Sequence, residues 1–368
     1  MAVEFIGMIG VRPDNQSGAS VHVIGGGVDP AFLRDFTRVH EDAGFDKVLV
    51  GYSSSSAEGF TVAGYAASQT ERIGFLVAHR PGFLAPTLAA RKAATFDNFY
   101  DGRLALHIIT GGSDDEQRRD GDFLTHDERY RRTGEYLDVM RRVWTEPKPF
   151  DFAGEFYQFT RAYSDVKPLQ QPHVPLYFGG QSDAAVPVAA QYADCFALWG
   201  EPLAAVREKI AEVRAAAAVY GRTPSFSVSM RPILAPTEGE AWDKAHAIHA
   251  EILKSTRPNP MGTAARPEAV GSQRLLQFAD QAEVHDERLY MAIAQATGAP
   301  GNTTALVGTP EQVAKSLLAY YDLGVRTLLI RGFDPLNDAR EYGRELIPLV
   351  RAGVAERDAA AARQAVPA

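Results

Sequence analysis

The sequence predicts an α/β fold of the (β/α)8 barrel type, and three observations carry the prediction. Eight short runs rich in apolar and β-branched residues recur along the chain. Between them lie segments whose apolar residues return every three or four positions, the period of a helix with one buried face. The runs are apolar along nearly their whole length, as strands are when helices cover a parallel sheet. A chain of 368 residues accommodates such a barrel, which needs roughly 250 residues plus insertions. The alternative, a doubly wound sheet, lacks its Gly-x-Gly-x-x-Gly turn: the first strand is followed by GVRPDNQSG.

The first strand is VEFIGMIGV (3–11), and PAFLRDFTRVHEDAG supplies the helix after it. FDKVLVGYS (45–53) and RIGFLVAHR (72–80) are the second and third strands, the latter followed by the helical TLAARKAATFDNFYDG. RLALHIITG (103–111) is the fourth, and the polar stretch 111–125 after it is an insertion. A second insertion, 148–175, contains FDFAGEFYQF, a hairpin turning near Gly154 ahead of the fifth strand, PLYFGG (175–180). CFALWG (195–200), FSVSMRPIL (226–234) and VRTLLIRG (325–332) complete the set. The segment 256–308 after strand seven is rich in Pro, Gly and Ala, with one helical stretch near 270–294; a connection that long reads as a lid. One barrel domain over 1–353 and a helical C-terminal tail over 354–368 are expected.

Composition removes several functions. A net charge of −8 with no long Lys/Arg block argues against a nucleic-acid binder. The only cysteine, Cys195, excludes an internal disulfide and a thiolate metal site, and its apolar neighbours make it a small buried hydrophobe. The histidines are scattered without metal-ligand spacing, and neither His-Glu-x-x-His nor Gly-x-Ser-x-Gly occurs. No basic leader precedes an apolar run and no run reaches the 18 or so residues of a membrane span, so a cytoplasmic protein is expected.

Barrel chemistry gathers at the C-terminal ends of strands, so the candidate residues are sought there. After strand five, Gly179, Gly180, Gln181 and Ser182 precede a small-residue helix, whose N-terminus favours a phosphate; Ser182 as an ordinary helix cap is the other reading. After strand four come Thr110 and a helix beginning near His126, with Asp127 as its cap or first-turn acid. His126 and Tyr130 share one face of that helix, either as phosphate or carbonyl ligands or as ordinary surface residues. His79 and Arg80 fall at the rim after strand three, and Trp199 after strand six is a flat wall or lid packing. Arg231 and Arg331, ending strands seven and eight, are able to hold an anion or to pair with the plentiful acids.

Three segments carry a resemblance. FLVAHRPGFLAPTLAARKAATFDNFYDGRLALHIITGGSDDEQRRDGDFLTHDERY resembles the bacterial luciferase-like flavin monooxygenases, most closely their alkanesulfonate monooxygenase branch. PLYFGGQSDAA with ADCFALWGEP, and TALVGTPEQVAKSLLAYYDLGVRTLLIRGF with ELIPLV, continue it in the same order from about 3 to 351. The resemblance implies a barrel that accepts reduced FMN from a separate NAD(P)H:flavin reductase and uses O2 to oxygenate a small substrate, in the sulfonate branch giving an aldehyde and sulfite. It implies that Gly179, Gly180, Gln181 and Ser182 cradle the flavin phosphate beside His126 and Tyr130, that Ala78 and Thr110 flank the ring, and that Trp199 lines the pocket. A homodimer or homotetramer is implied as well. The substrate side departs from the branch: Ser56 stands where it has a cysteine, Ser229 and Arg231 where it has an Arg-x-His pair, and Phe333 and Pro335 where it has a tyrosine and a histidine. Arg231 then becomes the expected anion anchor, with Ser56 a hydrogen-bond donor near the flavin. Two other readings share the fold, a hydride-transferring enzyme of the deazaflavin F420 and a non-catalytic flavin-binding protein.

Overall fold

A computed structural model describes residues 3–13, 26–254, 267–301 and 303–365. In chain order the first elements are β1 (Glu4–Ile9), α1 (Pro30–Asp42), β2 (Lys47–Val50), α2 (Gly59–Ala67), β3 (Gly74–His79), α3 (Pro86–Phe99) and β4 (Leu104–Ile109). The insertion after β4 carries the short helix α4 (Asp114–Arg119) and leads into α5 (His126–Thr145). The antiparallel hairpin β5 (Phe150–Ala153) and β6 (Gln158–Ala162) precedes β7 (Leu176–Gly179), α6 (Ala185–Tyr192), β8 (Cys195–Trp199), α7 (Leu203–Ala218) and β9 (Ser225–Leu234). β1, β2, β3, β4, β7, β8, β9 and a later strand, β13 (Val325–Ile330), are all parallel and close on themselves through the β8–β9, β9–β13 and β13–β1 pairings. These are the eight strands expected, and the fold is the expected (β/α)8 barrel.

Side chains alternate about the barrel wall as the two-residue period of a strand requires. Ile6, Leu76, Ala105, Tyr177 and Cys195 form the inner cluster, with Leu49 and Leu329 against it. Their sequence neighbours Phe5, Val48, Phe75, Leu106, Phe178, Phe196 and Leu328 face the helices in the main core. Helix starts are set by local chemistry. Asp29 accepts the N–H groups of Ala31 and Phe32 ahead of Pro30, and Thr125 and Thr309 each form reciprocal capping boxes, with Glu128 and Gln312.

The region after β9 differs from its expected form. Helix α8 (Glu238–Lys254) comes first. The helical stretch placed near 270–294 is α9 (Val270–Gln281), followed by the two-residue strands β10 (Val284–His285) and β11 (Leu289–Tyr290) and the short α10 (Ala292–Thr297). β12 (Ala305–Gly308) then pairs in parallel with the C-terminal half of β9, from Arg231 to Leu234, while the N-terminal half of β9 pairs with β13. β9 thus leaves the barrel after Met230 and carries a small side sheet, which sequence reading missed because strands of two and four residues hold too little periodic signal. Residues 256–266 of the expected lid lie outside the described residues.

The last described elements are α11 (Pro310–Asp322), β13, α12 (Pro335–Glu341), a π-helical turn at Tyr342–Leu346, and α13 (Ile347–Ala365), which continues into the expected tail as far as Ala365; 366–368 lie outside the described residues. At the π turn Gly343 touches α1: a Cβ there would lie 2.6 Å from the Cα, Cβ and carbonyl oxygen of Ala43. Backbone atoms cannot yield as a flexible side chain does. Gly343→Ala is therefore expected to destabilise the protein by about 1–3 kcal/mol, read as a lower midpoint in urea, and an unchanged midpoint would refute the contact.

Candidate functional site

The C-terminal ends of the barrel strands bring together residues from widely separated segments. On the β7 side, α5 and the turn before α6 meet. The His126 ring lies 4.9 Å from that of Tyr130, and Tyr130 lies 6.3 Å from Phe178, centroid to centroid. Asp127 is in the first turn, its carboxylate 2.7 Å from His126 Nδ1, and Thr125 is the cap. Gly180 is where the turn passes Tyr130: a Cβ on it would lie 2.6 Å from the Tyr130 hydroxyl and 3.1 Å from Ala185 Cβ. Burial pushes that hydroxyl's pKa up, opposed by the facing hydroxyls of Ser182 and Thr110.

Gln181 and Ser182 are buried. The Ser182 carbonyl accepts the N–H groups of Ala185 and Val186, starting the helical turn, yet its side chain caps nothing. Ser182 Oγ and Gln181 Oε1 are buried without a well-formed hydrogen bond among the described residues. Buried polar atoms normally have partners, so a hydroxyl and an amide left over at a helix N-terminus, beside a Tyr hydroxyl, fit a phosphate better than a plain cap. The residues present therefore suit the phosphate end of a flavin.

Toward the barrel axis, Ala78 and His107 are paired neighbours on β3 and β4 and follow the inner register of Leu76 and Ala105. His107 was not singled out in the sequence, although a lone polar residue inside the apolar LALHII was the available signal. Its Nδ1 is buried without a hydrogen-bond partner among the described residues, and desolvation lowers its pKa to about 4, so the ring is neutral at pH 7. Thr110 has the opposite register: its hydroxyl lies 3.3 Å from that of Thr133 on α5, on the helix side rather than beside Ala78. Trp199 ends β8 partly buried, its ring packed against Gly271 at the start of α9.

The other positions are set by their strands. Arg231 is 1% exposed; its Nη1 donates to the Gly332 carbonyl at 3.2 Å and its guanidinium sits 4.5 Å from the Phe333 ring centroid. Arg331 follows β13, its backbone N–H donating to the Met230 carbonyl at 3.3 Å and its guanidinium 3.1 Å from Met8 Sδ, and burial lowers its pKa to about 10. Burial foremost, and then the Arg331 charge, depress Arg231 as well. Phe333 is buried in the side-sheet core and Pro335 opens α12. Ser56 is turned inward to its own loop: its Oγ donates to the Ser53 carbonyl at 2.9 Å and accepts the Ser53 N–H at 3.0 Å. His79 is not at the rim. It lies behind the sheet, 2.7 Å from the Tyr136 hydroxyl of α5, because its register on β3 is the outer one.

The sequence profile of the family described as "Luciferase-like monooxygenase" matches residues 3–327. The chain belongs to that family. Solved structures agree in fold. This luciferase-like chain is similar to a riboflavin lyase bound to modified FMN and riboflavin, at 18% identity and a TM-score of 0.74, over 96% of this chain and 92% of that one. It is similar to EDTA monooxygenase from Chelativorans sp. BNC1, at 17% identity and a TM-score of 0.73, over 96% and 94%. An F420-dependent secondary alcohol dehydrogenase matches at 18% identity and a TM-score of 0.68, over 95% and 99%. At such identities the likeness shows the luciferase-like fold alone. The described helices include none long and apolar enough to cross a membrane.

Proposed function

We propose that this chain is the oxygenating component of a two-component flavin monooxygenase. Reduced FMN would arrive from an NAD(P)H:flavin reductase, and O2 would be used to oxygenate a small organic substrate; desulfonation of an alkanesulfonate-like compound to an aldehyde and sulfite is the first reaction to test. The observation that carries the reading is the Ser182 hydroxyl, buried at a helix start and capping nothing. Reduced FMN, when bound, supplies the electrons that activate O2.

The protein's own part is positioning and exclusion of water. Gly180, Gln181, Ser182 and Tyr130 would hold the phosphate through a backbone N–H, hydroxyls and an amide. Neutral His107 and the small Ala78 would face the ring. Trp199, closed over by Gly271, would shield the pocket, with 256–308 as its lid. Arg231 and Arg331, side by side and buried, would receive the anionic group, and Ser56 would stiffen its loop rather than touch the flavin. The assembly is proposed to be a homodimer or homotetramer.

The test couples the protein to a flavin reductase with FMN, NADH and O2 over a panel of sulfonates, with sulfite release as readout. Sulfite from one sulfonate, lost in Arg231→Ala, is the expected outcome. Ser182→Ala is expected to weaken FMN binding by about tenfold or more. Tighter binding of F420 than of FMN would overturn the cofactor assignment, and unchanged turnover in Arg231→Ala would overturn the anchor.

A further inference from the structure

Away from the phosphate turn, a second cluster of unmatched polar atoms lies where the loops after β2, β3 and β4 converge. Arg80, 5% exposed at the end of β3, donates from Nη2 to Glu116 of α4 at 2.8 Å, and Glu116 also accepts the Ser54 N–H at 3.0 Å. Gln117, beside Glu116 and fully buried, reaches back with Nε2 to the Thr110 carbonyl, 3.5 Å away. Four buried atoms are left without partners among the described residues: Arg80 Nε, Arg80 Nη1, Ser54 Oγ and Gln117 Oε1. Leaving a buried polar atom unmatched is costly, more so when it is charged, so a group of them at the functional end of a barrel calls for a ligand.

A way in exists. The Arg80 guanidinium stacks 4.4 Å from the Tyr52 ring centroid and 6.0 Å from that of Phe83. Both rings line a cavity of about 380 Å³ open at the rim between these loops. The charge balance selects the ligand. Arg80 is neutralised by Glu116, and nearby Arg132 by Asp122 at 2.5 Å, while Asp120 accepts the Tyr52 hydroxyl at 2.6 Å. An incoming anion would add uncompensated negative charge to a buried site that has no positive excess. A neutral oxygen needs only the donors.

We propose that the Arg80 N–H groups and the Ser54 hydroxyl form a substrate subsite for a neutral acceptor oxygen, carbonyl or sulfonyl, entered through the Tyr52–Phe83 cavity. The subsite rests on the flavin-monooxygenase reading above. It is separate from the Arg231–Arg331 pair, so the substrate would carry a neutral oxygen as well as any anionic group.

The test uses ligand-observed NMR on the full chain, with and without oxidised FMN, and with acetone, dimethyl sulfone and methanesulfonate as probes. Arg80→Lys keeps a cation for Glu116 and removes the spare donors, and Ser54→Ala removes one hydroxyl from a partly exposed loop, so it serves if the first does not fold. Both substitutions are expected to weaken acetone and dimethyl sulfone by about tenfold, with methanesulfonate and FMN unchanged. The proposal is overturned if the neutral probes do not bind the wild type, if they survive both substitutions, or if methanesulfonate alone is weakened. Loss of FMN affinity with neutral-probe binding intact would give these atoms to the flavin and also overturn it. If the wild type fails to bind FMN but the probes follow the expected pattern, the flavin reading falls, and what stands is a neutral-oxygen binding site that is no longer a monooxygenase subsite.

Discussion

Gly180→Ala is expected to weaken FMN binding by tenfold to a hundredfold. The methyl group would lie 2.6 Å from the Tyr130 hydroxyl and 3.4 Å from Phe178 Cε1, so the tyrosine must move. The tyrosine is buried between Phe178 and His126, and moving it would withdraw the proposed hydrogen bond to phosphate, worth about 1.5–3 kcal/mol. The same crowding should lower stability by about 1–3 kcal/mol. Adding Tyr130→Phe removes the oxygen that clashes. The double variant should therefore regain most of the lost stability but not the FMN affinity, a separation that a general folding defect cannot produce. Absorbance titration with FMN and urea denaturation of the four forms provide the measurement. FMN affinity equal to wild type in Gly180→Ala would remove this turn from the flavin site.

The second large effect is acid lability. His40 is 3% exposed, with its ring 4.8 Å from Phe36 and 4.9 Å from Phe45, and its Nδ1 lies 2.9 Å from the Phe36 carbonyl. His79 is 8% exposed beside Tyr136. Burial foremost lowers both from 6.5 to about 4, with Lys92 adding to the effect on His79. Between these values the unfolded chain binds protons that the folded chain refuses. The stabilisation is thus complete above about pH 6.5 and is lost as pH falls toward 4, by up to about 3 kcal/mol for each ring. Urea midpoints from pH 7 to pH 4 should fall steeply. His79→Gln, whose amide stays neutral and can still reach Tyr136, should flatten roughly a third of that slope, because His107 is lowered to about 4 as His40 is. An identical slope would mean that His79 is charged in the folded protein.

Several site features were legible before any fold was known, because they are local. The four residues Gly179–Ser182 follow an apolar strand and precede a small-residue helix, and helix period alone puts His126 and Tyr130 on one face. Other features depend on distance in the chain. Nothing local says that Arg80 and Glu116, 36 positions apart, form a buried ion pair, or that Gln117 folds back to Thr110. Ser56 looked like a free donor because its sequence cannot show the turn that consumes its hydroxyl, while Ser54, two residues earlier, keeps the unmatched one. His79 and Arg80, adjacent in sequence, were placed together at the rim, and strand alternation sends the first outward to α5 and leaves the second at the mouth.

By itself, then, the sequence determined the eight strands and the helices between them, since apolar period and turn chemistry act over a few residues. It also picked out the Gly179–Ser182 turn before α6, which is built from consecutive positions. The tertiary structure alone decided which polar atoms are left unmatched in the interior, and where β9 leaves the barrel to pair with β12. Hydrogen-bond satisfaction and burial are properties of neighbours in space, and those neighbours are brought together only when the barrel closes.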